Sequence, residues 1–109
     1  MTHEEYIQSI RDKIGIVAQE MLEGTKHYLE GVIEITGLYF QAELDSDDKD
    51  FNIFNGIASE CDHLPLGKFR ENWSEEALQR HDLEIQETIE WAKNCSKVEC
   101  QSLAARFKK

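Results

Sequence analysis

Near the start of the chain Ile7, Ile10, Ile14, Val17 and Met21 stand at alternating steps of three and four. An α-helix turns once every 3.6 residues, so these five side chains form one stripe, and burying it requires a helix packed against something else. Thr2 and Glu5 have the spacing of a capping box, in which a hydroxyl and a carboxylate satisfy amides that the first turn leaves unpaired. A first helix is therefore expected from there to Gly24, a residue that accepts the left-handed conformation ending helices, with Thr25 as cap of the next.

Residues 27–44 could be strand or helix, because Val32, Ile33, Ile35, Thr36, Tyr39 and Phe40 all favour extended backbone. The apolar positions Tyr28, Val32, Ile35, Leu38, Tyr39 and Ala42 nevertheless fit a 3.6 period better than alternation, and no hairpin turn divides the segment. A helix is predicted, against a cost of about 1 kcal/mol for each of Gly31 and Gly37. Asp45 to Asp50, with five charges in six residues, reads as an acidic loop.

Phe51, Phe54, Ile57, Ala58 and Cys61 resume helical spacing, and Pro65 with Gly67 forbids continuation. Ser74 caps a further helix with Glu75 and Glu76 at its positive end and Leu78, Ile85, Ile89 and Ala92 on its buried stripe. Glu76 and Arg80 are spaced for an ion pair. Ser96 and Glu99 repeat the capping-box spacing, predicting a last short helix that buries Leu103, Ala104 and Phe107, with Arg106, Lys108 and Lys109 at its negative end. The fold class is all-α: a compact bundle of four to five helices forming one domain over residues 1–109.

Twelve Lys and Arg against 22 Asp and Glu give a formal charge of −10. That charge repels nucleic-acid phosphates and anionic lipid, and a basic protein surface is its natural counterpart. Glu30, Glu34, Gln41 and Glu43 interrupt the most hydrophobic stretch, far short of the roughly 20 apolar residues of a membrane span. The chain opens Met1-Thr2-His3-Glu4-Glu5 without an apolar signal, and its three cysteines, Cys61, Cys95 and Cys100, are an odd number. Reduced thiols and a cytoplasmic location are expected.

An EF-hand register from Asp45 puts Lys49 at the fifth position, Asp50 where Gly is required and Gly56 where the bidentate Glu belongs; from Asp48 it puts Ile53 at the turn and Ser59 at the last ligand. Glu60 and His63 have the Glu-x-x-His spacing of di-iron bundles, with Glu30 and Glu34 as carboxylates on another helix, but those sites use the motif twice. Cys61, His63, Cys95 and Cys100 lack the usual zinc spacings. No phosphate loop, nucleophile elbow or Cys-x-x-Cys pair occurs. Cys61 served by His63 or His81 is the one nucleophile–base arrangement, against the commoner use of a lone Cys as a small core residue. No metal or cofactor is expected.

Polar, charged and aromatic residues concentrate between Ser59 and Trp73, a loop-like stretch of the kind that carries function. Glu34, Glu60, Asp62, His63, Arg70 and Trp73 are the candidate binding residues; the structural alternative has Asp62 and His63 capping helix ends, Arg70 pairing with a carboxylate, and Leu64, Phe69 and Trp73 closing the bundle. The pattern Ser59-Glu60-x-Asp62-His63-Leu64-Pro65-x-Gly67-x-x-Arg70-x-x-Trp73, with the upstream Gly31-Val32-Ile33-Glu34, resembles a family of small bacterial proteins without assigned activity, over residues 28 to 90. The resemblance implies a bacterial cytoplasmic origin and no mechanism; Cys61 stands where that pattern has Thr, which argues further against thiol chemistry.

Two functions from different classes fit these residues. One is a non-enzymatic interaction module offering an acidic helical face to a basic partner, as immunity proteins of secreted nuclease toxins do. The other is a small-molecule or metal site built by Glu34, Glu60, Asp62, His63 and Arg70 between the helical halves. Self-association is a further expectation, since positions 7, 10, 14, 17 and 21 follow a heptad that could zip against a second copy.

Overall fold

The computed structural model describes residues 2–44, 47–64, 66 and 71–107. Among them are four helices, α1 (His3–Glu23), α2 (Tyr28–Gln41), α3 (Lys49–Glu60) and α4 (Glu75–Arg106), and no strand. Thr2 caps α1, its Oγ1 accepting the Glu5 N–H at 3.1 Å, and the whole stripe from Ile7 to Met21 is buried. Gly24 ends the helix at φ +80°, where its N–H reaches the carbonyls of the last turn. Thr25 does not cap α2 as expected. Its hydroxyl instead donates back to the Glu20 carbonyl at 3.3 Å, and α2 starts from His27 without a side-chain cap.

The ambiguous segment is helical: Tyr28, Val32, Ile35, Leu38, Tyr39 and Ala42 are all buried. Gly31 explains itself by close approach, for a Cβ there would lie 2.5 Å from Cγ and Sδ of Met21 on α1. The helix-propensity loss is thus exchanged for tight α1–α2 packing.

Two boundaries differ from the sequence reading. Lys49 and Asp50, expected in the acidic loop, form the first turn of α3, because Asp48 caps it by accepting the Asp50 N–H at 2.9 Å. Carboxylates suit that end, where the helix dipole is positive. The separate last helix does not exist. Ser96 lies within a continuous 32-residue α4, fully buried, and its Oγ donates to the Ala92 carbonyl at 2.6 Å rather than capping anything. The hydroxyl's one hydrogen is thereby used, so Tyr28 on α2 donates its own to Ser96 Oγ, also at 2.6 Å. Burial pushes the Tyr28 pKa to about 12. Lys108 and Lys109 lie outside the described residues.

The four helices alternate in direction. His3, Arg11 and Met21 of α1 meet Glu43, Ala42 and Gly31 in turn, which sets α1 antiparallel to α2. Asp50 meets Ser102 and Arg106 while His63 meets Glu84, which sets α3 antiparallel to α4. The α4 helix packs against all three others. At 1.5 Å per residue it is about 48 Å long, matching the 47 Å long axis of the molecule.

Arg106 closes the bundle end. Its guanidinium binds both Asp48 oxygens, at 3.1 and 2.9 Å, and Asp50 Oδ2 at 2.8 Å, an oxygen that also accepts from Ser102. The Arg106 hydrogen bond holds the Asp48 carboxyl below its usual range. The Tyr39 hydroxyl is buried in the field of Asp48, Arg106 and Asp50 without a hydrogen-bond partner among the described residues, and burial raises its pKa above the tyrosine range. An unpaired buried hydroxyl costs more than its removal. Tyr39→Phe should therefore raise stability by about 1 kcal/mol, read as a higher urea midpoint; a lower midpoint would mean that the hydroxyl has a partner.

Candidate functional site

The candidate residues divide between two places. Glu34, on α2, is held by Lys26 Nζ at 2.7 Å, and this hydrogen bond raises the lysine pKa. Among the described residues no hydrogen bond or ion pair joins Glu34 to Glu60, Asp62 or His63. Glu60 is the last residue of α3, and it, Asp62 and His63 are exposed around the turn that follows. Arg70 lies outside the described residues.

His63 and Trp73 belong to one cluster through two residues of α4 outside the candidate set. The Glu84 carboxylate accepts from His63 Nε2 at 2.6 Å and from His81 Nδ1 at 3.1 Å. An ionised carboxylate only accepts, so the proton of each ring sits on the nitrogen facing it. Trp73 completes the group with its ring edge-on to that of His81, centroids 5.1 Å apart. His81 and Glu84 are one helical turn apart, and that i,i+3 spacing was the signal available in the sequence.

The hydrogen bond to Glu84 raises the His63 pKa above 6.5, and the two imidazoles lower that of Glu84. The histidine contribution to stability is therefore complete below pH 6.5 and fades as pH rises through the folded pKa; the carboxylate contribution is present above pH 4.5 and fades in acid. Both contributions are fully present between pH 4.5 and pH 6.5. In an NMR titration His63 should show a midpoint above 6.5 that falls toward the ordinary value in Glu84→Gln; an identical midpoint in both proteins would mean that the pair does not form in solution.

Cys61 and Cys100 are buried and Cys95 is exposed. Burial raises both buried thiols, Cys100 to about 11, so neither is a ready thiolate. Among the described residues no group of three or more His, Cys, Asp or Glu is placed to hold a metal ion. An open groove of about 560 Å³ lies between α1 and the end of α4, beside Gly15, Ile16, Leu22 and Phe107 and away from the candidate residues.

A family model described as protein of unknown function (DUF2489) matches residues 2–103, nearly the whole bundle. The chain belongs to that family. The DUF2489 match takes in α1, α2, α3, all but the last three residues of α4 and the His63–Glu84–His81 cluster, and stops before Arg106. No curated protein and no solved structure matches the chain. Among the described residues no helix is long and apolar enough to cross a membrane.

Proposed function

We propose that this DUF2489 protein is a non-enzymatic, protein-interaction module of the bacterial cytoplasm that binds a basic partner, in the manner of an immunity protein. The carrying observation is where its charge sits. Lys26 and Arg106 are committed to carboxylates of the chain itself, and the exposed Lys13, Lys49, Arg80, Lys93 and Lys97 are outnumbered by the exposed Glu4, Glu5, Glu23, Glu60, Asp62, Glu71, Glu75, Glu76, Glu87 and Glu90 on a molecule of formal charge −10. Such a surface accelerates encounter with a positive partner and slows it as salt screens the field.

The test is affinity capture with the full chain at low and at high salt. A basic protein retained at low salt and released at high salt is the expected result. Failure to recover any protein partner at low salt would remove the reading.

The other reading, a small molecule or metal bound near Glu60, Asp62 and His63, draws support from the imidazole–carboxylate cluster at His63 and loses some at Glu34, which Lys26 occupies. Calorimetric titration with zinc would support it by a saturable signal that Glu84→Gln abolishes. A homodimer through the first helix would have to open the bundle, since its five heptad positions are buried in the chain's own core.

A further inference from the structure

The α4 helix carries a second stripe opposite its buried one. Leu83, Glu87, Trp91, Asn94 and Val98 follow steps of four, four, three and four, and all five are exposed. Leu83 is 69% exposed, Trp91 43% and Val98 72%. Other exposed apolar residues, such as Ile16, Ile33 and Phe40, belong to α1 and α2. A row of Leu, Trp and Val at helical spacing covers about 22 Å of helix at 1.5 Å per residue and leaves apolar surface in water that a partner could bury. Trp91 makes no ring contact among the described residues, unlike Trp73.

The charge along this helix is uneven. From Glu75 to Trp91 it carries six acidic residues, Glu75, Glu76, Asp82, Glu84, Glu87 and Glu90, against Arg80, and Lys93 and Lys97 follow beyond Trp91. The exposed Glu87 and Glu90 flank Trp91. An aromatic anchor with an apolar residue two turns away on either side is how a helix seats itself in a groove of another protein, and charge around the anchor decides which groove.

We infer that the outward face of α4, from Leu83 to Val98, is the docking surface, and that its occupant is an apolar groove rimmed by Lys and Arg on a partner protein. This inference rests on the interaction reading above and specifies where the contact occurs. Trp91 and Leu83 enter the groove, and Glu87 and Glu90 meet the basic rim. A helix face is convex, so the partner supplies the concave side.

The experiment places a photo-crosslinking amino acid in the full-length protein at Leu83 or Val98, and for comparison at Ile16 or Ile33, in cells that make it. Adducts with a basic protein from Leu83 and Val98 and not from Ile16 or Ile33 are expected, reduced at least about tenfold by Glu87→Lys with Glu90→Lys. Those two sites are exposed, and circular dichroism checks that the fold is kept. Adducts with a basic protein only from Ile16 or Ile33 would overturn the docking surface and leave the interaction reading standing. Adducts with a second copy of the chain, or with a protein lacking a basic surface, would overturn the proposed occupant. Absence of any protein adduct at all four positions would remove the interaction reading itself.

Discussion

Phe54→Ala lowers the unfolding free energy by about 3–5 kcal/mol. Phe54 is 0% exposed and stands between Phe51 and Ile57 on the buried stripe of α3. That helix has 12 residues, too few to hold itself in water, so its tertiary contacts keep it folded. Removing the ring loses its transfer free energy and leaves a cavity that the surrounding helices only partly fill. A chain of this size has roughly 5–15 kcal/mol of stability in all, so the variant should unfold at a much lower urea concentration. Equilibrium denaturation followed by circular dichroism measures this, with the midpoint falling and the slope unchanged. A loss below about 1 kcal/mol would mean that α3 is not packed as described.

Arg106→Ala is expected to cost about 2–3 kcal/mol. The guanidinium makes three hydrogen bonds to Asp48 and Asp50, and Asp50 is buried beside Ser102. Deleting it strands two carboxylates near the unpaired Tyr39 hydroxyl. The figure stays below that of a fully buried pair because the Arg106 side chain is 38% exposed and water screens part of the interaction. The pH dependence carries a second signature. Because the folded Asp48 pKa is depressed below 3.8, its contribution is present above that value and lost as pH falls through the folded pKa. Removing Arg106 relieves the depression, so the variant should lose less stability than the wild type on acidification across this range. Parallel acid limbs for the two proteins would mean that the ion pair does not govern that titration.

The helical architecture was legible because burial and periodicity agree. Ile7 to Met21, Tyr28 to Ala42 and Phe51 to Cys61 each put most of their apolar residues on one face, and the fold buries those faces. Local capping chemistry was a weaker guide. Ser96 and Glu99 have the spacing of a helix start, but a serine hydroxyl can equally donate to the carbonyl four residues back, and the buried Tyr28 hydroxyl settles the choice in a way that no neighbouring residue announces. Asp48 and Asp50 looked like solvated charge because their partner Arg106 is more than 50 residues away along the chain. Within the candidate site, His63 and Trp73 could be picked from composition. Their association through Glu84 and His81 depends on how the turn after α3 meets α4, a tertiary relation outside any local spacing.

One helix spanning the molecule also determines how it comes apart. Each of α1, α2 and α3 rests on α4, through contacts such as Cys100 with Ala18, Ser96 with Tyr28 and Arg106 with Asp50. Each of the shorter helices loses part of its apolar cover once α4 departs. The protein is consequently expected to unfold as one cooperative unit, with all four helices released in a single transition when heat and denaturant unfolding are followed by circular dichroism.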